Sequence, residues 1–192
     1  MSERVFIAIE LPLAVRAALA NQAKKLPRDG AKVSRVAEAN MHVTLHFLGD
    51  VEDAQLLDIF KAVEASAREG RAFGFEVRGA EAIPLTGKRL RVVWARIIDP
   101  TGQLAELHRR LGDRLAEVGF VPEDRPYTPH VTLMRVRSAR DPDILRRATS
   151  PLEEQSFGEC LASGVTVYES TLTREGPIYT PHVRYPLAEN DG

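Results

Sequence analysis

The sequence predicts an α+β fold of two similar lobes, each an antiparallel sheet with helices on its outer face, related by a pseudo-twofold axis with the active site in the cleft between them. Three observations carry this reading. Short β-rich runs alternate with helical runs along the whole chain. A block of sequence recurs after 88 residues. Three strand-like runs follow one another near the C-terminus, and no Gly-rich phosphate loop follows any strand, which sets aside a parallel doubly wound sheet.

The elements read as follows. Val5-Phe6-Ile7-Ala8-Ile9 is a strand, and Pro12 marks where a helix can begin. Residues 13–26 place Leu13, Ala17, Ala20 and Lys24 at helical spacing and stop at Pro27-Arg28-Asp29-Gly30. His42 to Leu48 is a strand. Leu56, Ile59, Phe60 and Val63 mark an amphipathic helix from Glu52 to near Gly70. Strands at 73–83 and 90–98 flank the turn Pro84-Leu85-Thr86-Gly87. After Pro100, Leu104, Leu107, Leu111, Leu115 and Val118 define a long helix. A strand from His130, a short helix at 141–149, and strands near 156–162, 165–173 and 178–186 complete the chain.

Composition bounds the function. With 192 residues, 44% hydrophobic and 28% charged, the chain suits one domain over residues 1–192. Lys plus Arg number 26 against 27 Asp plus Glu, a net charge of −1. That balance argues against coating long nucleic acids but leaves room for a nucleic-acid end or a nucleotide. A single cysteine, Cys160, excludes an internal disulfide framework and a Cys-based zinc site, and reads as a small buried hydrophobe. No apolar run approaches the roughly 20 residues that span a bilayer. Met1-Ser2-Glu3-Arg4 does not open a signal peptide. A soluble, cytoplasmic monomer without membrane contact is expected.

The repeat points to the chemistry. His42-Val43-Thr44-Leu45 recurs as His130-Val131-Thr132-Leu133. In the same register Val5, Phe6, Ile9 and Pro12 answer Val93, Trp94, Ile97 and Pro100. After each motif comes a helix and then a Phe-Gly pair, Phe73-Gly74 and Phe157-Gly158. Alternation on a strand puts His42 with Thr44, and His130 with Thr132, on one face, and sends Val43, Leu45, Val131 and Leu133 to the core. Two facing lobes then bring two imidazoles and two hydroxyls to one cleft. Near neutrality two such imidazoles can divide into acid and base, with a rate maximum roughly between pH 6 and 8. The hydroxyls can hold non-bridging phosphate oxygens, and no cofactor or metal is required. A lone strand histidine is ordinarily a surface or core residue; duplication with its threonine reverses that expectation.

These residues resemble the two-histidine phosphoesterase superfamily, and within it the RNA 2′,3′-cyclic phosphodiesterases, historically called 2′-5′ RNA ligases. The resemblance covers nearly the whole chain: Arg4 to Pro12, Asn40 to Gly49, Arg125 to Arg135, and Tyr168-Glu169-Ser170 with Gly176-Pro177-Ile178-Tyr179. Arg35-Val36 stands where the family often has a tryptophan. The resemblance implies one two-lobed phosphodiesterase domain that opens a ribose 2′,3′-cyclic phosphate, on an RNA end or a nucleotide, to a 2′-phosphate. It implies His42 as proton donor and His130 as proton acceptor, with 2′-5′ ligation as the reverse reaction. The alternatives are a non-catalytic module that binds RNA ends or nucleotides, and an enzyme for another small cyclic phosphate or a 2′-5′ oligonucleotide.

Further candidates are less determined. Arg135 suits a phosphate, but simple alternation sends it to the core unless the strand ends or bulges there. Phe47, its counterpart in the first repeat, is a stacking surface for a base or a packing residue. His46 shares the strand face of His42, as a substrate contact or a solvated end, and a metal on the two is disfavoured for want of a carboxylate. His108 and His182 read as surface residues. Lys88, Arg89 and Arg91 suit an RNA backbone or a protected sheet edge.

Overall fold

Five consecutive apolar residues, Val5 to Ile9, are all buried, as in a strand covered on both faces. They belong to β1 (Ser2–Glu10) in a computed structural model that describes residues 2–121, 126–174 and 176–189. Pro12 caps α1 (Leu13–Lys25). β2 (Ala31–Arg35) and a single turn at Glu38–Asn40 lead to β3 (His42–Glu52). α2 (Asp53–Arg68) starts in a capping box, where Glu52 and Gln55 each accept from the other's end of the first turn. β4 (Phe73–Ile83) and β5 (Val92–Ile98) precede α3 (Gln103–Glu117), whose first turn is tied down by Asp99 accepting from the Leu104 amide at 2.8 Å. β6 (His130–Ala139), α4 (Asp143–Thr149), β7 (Ser156–Ala162), β8 (Gly164–Leu172) and β9 (Pro177–Pro186) follow. Arg125, part of the second sequence motif, lies outside the described residues.

The strands form two antiparallel sheets, ordered β3-β1-β8-β9 and β2-β6-β5-β4-β7. They match position by position: β1 lies between β3 and β8 as β5 lies between β6 and β4, with β9 and β7 outermost. Only β2 has no counterpart. α2 packs on β3, β8 and β9, and α4 on β4, each on its own sheet. α1 packs on β6 and β7, and α3 on α2 and β3, so the first helix of each half covers the other half's sheet. That exchange welds both lobes to one core, with Leu104, Leu107, Leu111 and Leu115 of α3 at 1% exposure or less.

Three details differ from the sequence reading. The stripe chosen for α1 is out of phase: Val15, Leu19, Ala20 and Ala23 are buried, while Leu13 is 65% exposed. β2 is absent from that reading, because Ala31-Lys32-Val33-Ser34-Arg35 is short and polar and becomes a strand only by pairing with β6. The two Phe-Gly strands are not equivalent members of two lobes. They are neighbours in one sheet, with Phe73 opposite Ala162 and Val77 opposite Gly158. The short β4–β5 connection draws β4 into the sheet of β5, and the β8–β9 hairpin fills the vacant edge beside β1.

Candidate active site

Both histidine strands carry the same irregularity at the same place. Opposite β1, Ala8 pairs with Thr44 and Ile7 with His46, so Leu45 is skipped. Opposite β5, Trp94 pairs with Thr132 and Val93 with Met134, so Leu133 is skipped. Each bulge leaves two consecutive buried residues, Leu45-His46 and Leu133-Met134, and inverts the alternation beyond them. Phe47, 63% exposed, and Arg135 are thereby turned onto the histidine face. The condition on which Arg135 could reach the cleft is met. The same bulge turns His46 into the core at 8% exposure, which corrects its expected place beside His42.

The six residues singled out in the sequence, His42, Thr44, Phe47, His130, Thr132 and Arg135, line one cavity of about 100 Å³. Val36, Asn40 and Tyr179 complete its wall. The histidines are oriented alike. His42 Nδ1–H donates to the Asn40 carbonyl at 2.8 Å, and His130 Nδ1–H to the Thr128 carbonyl at 2.8 Å. Each bond spans two residues and leaves Nε2 as the working nitrogen. Asn40 is itself anchored, its side-chain amide donating to the Pro177 carbonyl at 2.7 Å. His42 Nε2 accepts from the Thr44 hydroxyl at 3.0 Å. Phe6 stacks on the His42 ring at 4.8 Å and Tyr179 meets it edge-on at 5.4 Å, while Trp94 covers His130 at 4.2 Å.

Comparison with known proteins bears on this arrangement. A profile described as the 2′-5′ RNA ligase superfamily matches residues 12–174. The chain belongs to the 2′-5′ RNA ligase superfamily. Among relatives, the protein named RNA 2′,3′-cyclic phosphodiesterase of Methanothermobacter thermautotrophicus is 34% identical over 180 residues, 94% of this chain and 96% of that one. The protein of the same name from Escherichia coli is 30% identical, covering 97% of this chain and 98% of its own. The crystal structure of E. coli LigT complexed with 3′-AMP superimposes with a TM-score of 0.79 at 28% identity, over 97% of this chain and 99% of that one. A crystal structure from Thermus thermophilus gives the same TM-score of 0.79 at 29% identity, with coverage of 97% and 99%.

Within this superfamily fold the electrostatics of the cavity are those of an anion site. Burial lowers His42 to about 4, with Arg135 and His130 adding to the shift against the Asn40 bond. Burial likewise lowers His130, again helped by Arg135. Two neutral imidazoles and one guanidinium thus face the pocket. A bound phosphodiester monoanion supplies the charge that favours imidazolium, so its arrival raises both histidines. This moves the pH expectation made from unperturbed histidines: the free protein's acid–base pair titrates on the acid side of 6.5.

The sequence reading missed the support beneath the cavity. His108 is not a plain surface residue. Its ring lies between His46, at 4.2 Å, and Tyr127, at 3.8 Å, both nearly parallel to it. His46 Nε2–H donates to the His108 carbonyl at 2.8 Å, and the Tyr127 hydroxyl donates to the Thr44 carbonyl at 2.9 Å. Burial lowers His46, and lowers His108 to about 4 with His46 contributing. The stack ties α3 and the segment before β6 to the backbone of β3. Its only sequence signal is Tyr127, three residues ahead of His130. The stack also removes the His42–His46 metal pair, because His46 points away. Among the described residues one group of three potential ligands exists, Glu3, Glu169 and His182, outside the histidine cavity. There His182 Nε2 is hydrogen-bonded to the Glu3 carboxylate at 2.5 Å and not merely solvated.

A second cavity, of about 750 Å³, adjoins the first and shares Thr44, Phe47 and His130 with it. Trp94, Phe120 and Tyr127 contribute to its walls. It reaches His130 without touching His42 or Tyr179.

Proposed function

We propose that the protein hydrolyses ribose 2′,3′-cyclic phosphates at RNA ends or on nucleotides, giving a 2′-phosphate, by metal-independent acid–base catalysis between His42 and His130. The observation that carries this is the convergence of two Nε2 atoms, two threonine hydroxyls and Arg135 on one small cavity. The naming of relatives across the superfamily as RNA 2′,3′-cyclic phosphodiesterases supports the substrate class.

The steps balance with these groups alone. Thr44, Thr132 and Arg135 hold the non-bridging oxygens of the cyclic phosphate and meet the charge that grows on them. Water arriving through the larger cavity attacks phosphorus as its proton passes to His130 Nε2. The P–O3′ bond breaks, and O3′ takes the proton carried by His42 Nε2. The product holds a 2′-phosphate and a free 3′-hydroxyl, and solvent returns the histidines to their starting protonation. With a 5′-hydroxyl in place of water, the same attack on the cyclic phosphate breaks P–O3′ and joins two RNA ends through a 2′-5′ link, with His130 taking the hydroxyl proton and His42 protonating O3′, but abundant water favours hydrolysis. Assignment of donor and acceptor rests on the family.

Incubation with an oligonucleotide ending in a 2′,3′-cyclic phosphate, in excess chelator, tests this directly. The expected product is the 2′-phosphate. Tight binding without turnover would favour the non-catalytic module, and turnover only after zinc or manganese is restored would end the metal-independent reading.

A further inference from the structure

The cleft face of the second sheet does not stop at the cavity. Beyond the bulge in β6, Arg135 and Arg137 stand on that face on either side of buried Val136. β2 pairs alongside, with Ser34 opposite Arg135 and Val33 opposite Val136. Val33 packs against the core, so Lys32 and Ser34 project to the cleft side. Lys32, Arg135 and Arg137 are all exposed, and among the described residues none has an ion pair or hydrogen-bond partner on its side chain. On the same face of β5, Arg96 is held by Glu81 at 3.4 Å and Glu154 at 3.7 Å. Some arginines elsewhere are similarly engaged, Arg68 with Glu64, Arg109 with Asp113 and Arg114 with Glu69, while Arg28, Arg89, Arg91 and Arg140 also lack a side-chain partner among the described residues. In a chain of net charge −1, three unpaired cations in a row are a local excess. Protection of a sheet edge explains Lys32 on β2; Arg137 is skipped in the β2 pairing and lies past Arg135, the last β6 residue paired with β5.

A 2′,3′-cyclic phosphate ends its strand, so the rest of an RNA can leave the cavity only through O5′ of the terminal ribose. The cations likewise run from the cavity in one direction, two residues or about 7 Å apart along β6, a step that suits successive phosphates of an extended strand. The strip holds no aromatic side chain, so it grips backbone and not bases. Resting on the function proposed above, we propose that Lys32 and Arg137, continuing from Arg135, form a track for the phosphates of the nucleotides upstream of the cyclic end. A short RNA is then the preferred substrate over a free cyclic nucleotide, with little dependence on base sequence.

The test compares the wild type with the double variant Lys32→Gln/Arg137→Gln on two substrates, 2′,3′-cyclic AMP and a tetranucleotide ending in the same cyclic adenylate. For the tetranucleotide, the double variant should lose roughly tenfold in kcat/KM at low salt, through KM. Its slope of log kcat/KM against log salt should flatten by about 1.4, for two contacts to a single strand. Kinetics on 2′,3′-cyclic AMP should not change. Equal wild-type preference for both substrates, unchanged tetranucleotide kinetics in the variant, or equal losses on both would overturn the track. If the wild type turns over neither substrate, the catalytic reading fails by itself. Fluorescence binding of the same tetranucleotide then decides the track: weaker, less salt-dependent binding by the variant supports it, and unchanged binding overturns it.

Discussion

β3 and β6 carry the same four residues, the same bulge and the same two-residue bond from Nδ1 to a carbonyl, yet they sit in different surroundings. β3 is the edge of its sheet, whereas β6 is flanked by β5 and by the extra strand β2. His42 is enclosed by Phe6, Tyr179 and the Thr44 hydroxyl, and His130 lies against Trp94 beside the larger cavity. Where the bulge presents a side chain to the cavity, β3 offers the aromatic ring of Phe47 and β6 the guanidinium of Arg135. Duplication provides two alike imidazoles in unlike surroundings, which fits the division into donor and acceptor proposed above. His130 opens on the cavity of about 750 Å³ and His42 on a smaller one of about 220 Å³ lined by Tyr168 and Tyr179.

Removing either imidazole is the strongest way to break this comparison. His42→Ala or His130→Ala should each cost about 10²–10⁴-fold in kcat with the fold intact by circular dichroism. If either variant keeps more than about a tenth of the activity, the paired mechanism is wrong. A substrate with sulfur in place of O3′ has a leaving group that scarcely needs a proton. On it His42→Ala should recover most of its loss and His130→Ala should not; the opposite pattern exchanges the roles.

Arg135→Gln should cost about tenfold to a hundredfold in kcat/KM, the worth of a charge-assisted contact to phosphate. The same variant should move the kcat/KM optimum to higher pH. Arg135 contributes to lowering both His42 and His130, so its loss raises both. In the wild type, kcat/KM should peak below 6.5, because it reports the empty cavity where His42 sits at about 4. The kcat profile should lie higher, since bound phosphate raises both groups. Coincident profiles would show that the phosphate does not contact the histidines.

Phe47→Ala is expected to raise KM about fivefold, the low end of a base–aromatic stack, with kcat preserved. Unchanged KM would make Phe47 a packing residue only.

The smallest effect tests the support under β3. The folded state lowers His42, His46, His108 and His130 below the 6.5 of an unfolded histidine. As pH falls below 6.5, the unfolded chain therefore binds more protons, and stability declines toward 4. His108→Gln should make Tm less dependent on pH in that window. A slope equal to the wild type would show that the stacked histidine does not titrate with folding.

The sequence by itself determined the order of the elements other than β2, the two histidine–threonine strands and six residues of one cavity. Period-2 alternation and a verbatim repeat are local, and strand geometry converts them directly into a shared face. Tertiary structure decided what local periodicity does not encode. Two bulges moved Arg135 and Phe47 into the cavity and His46 out of it, because a skipped residue inverts every side chain beyond it. Strand pairing, set by the nearest free backbone edge, placed β4 beside β7 and made a strand of polar β2. The phase of α1 followed the sheet it packs against and not its own apolar count, so Leu13 stayed in water while Val15 and Leu19 were buried. His46, His108 and Tyr127 are far apart in sequence and meet only because α3 of the second half packs on β3 of the first.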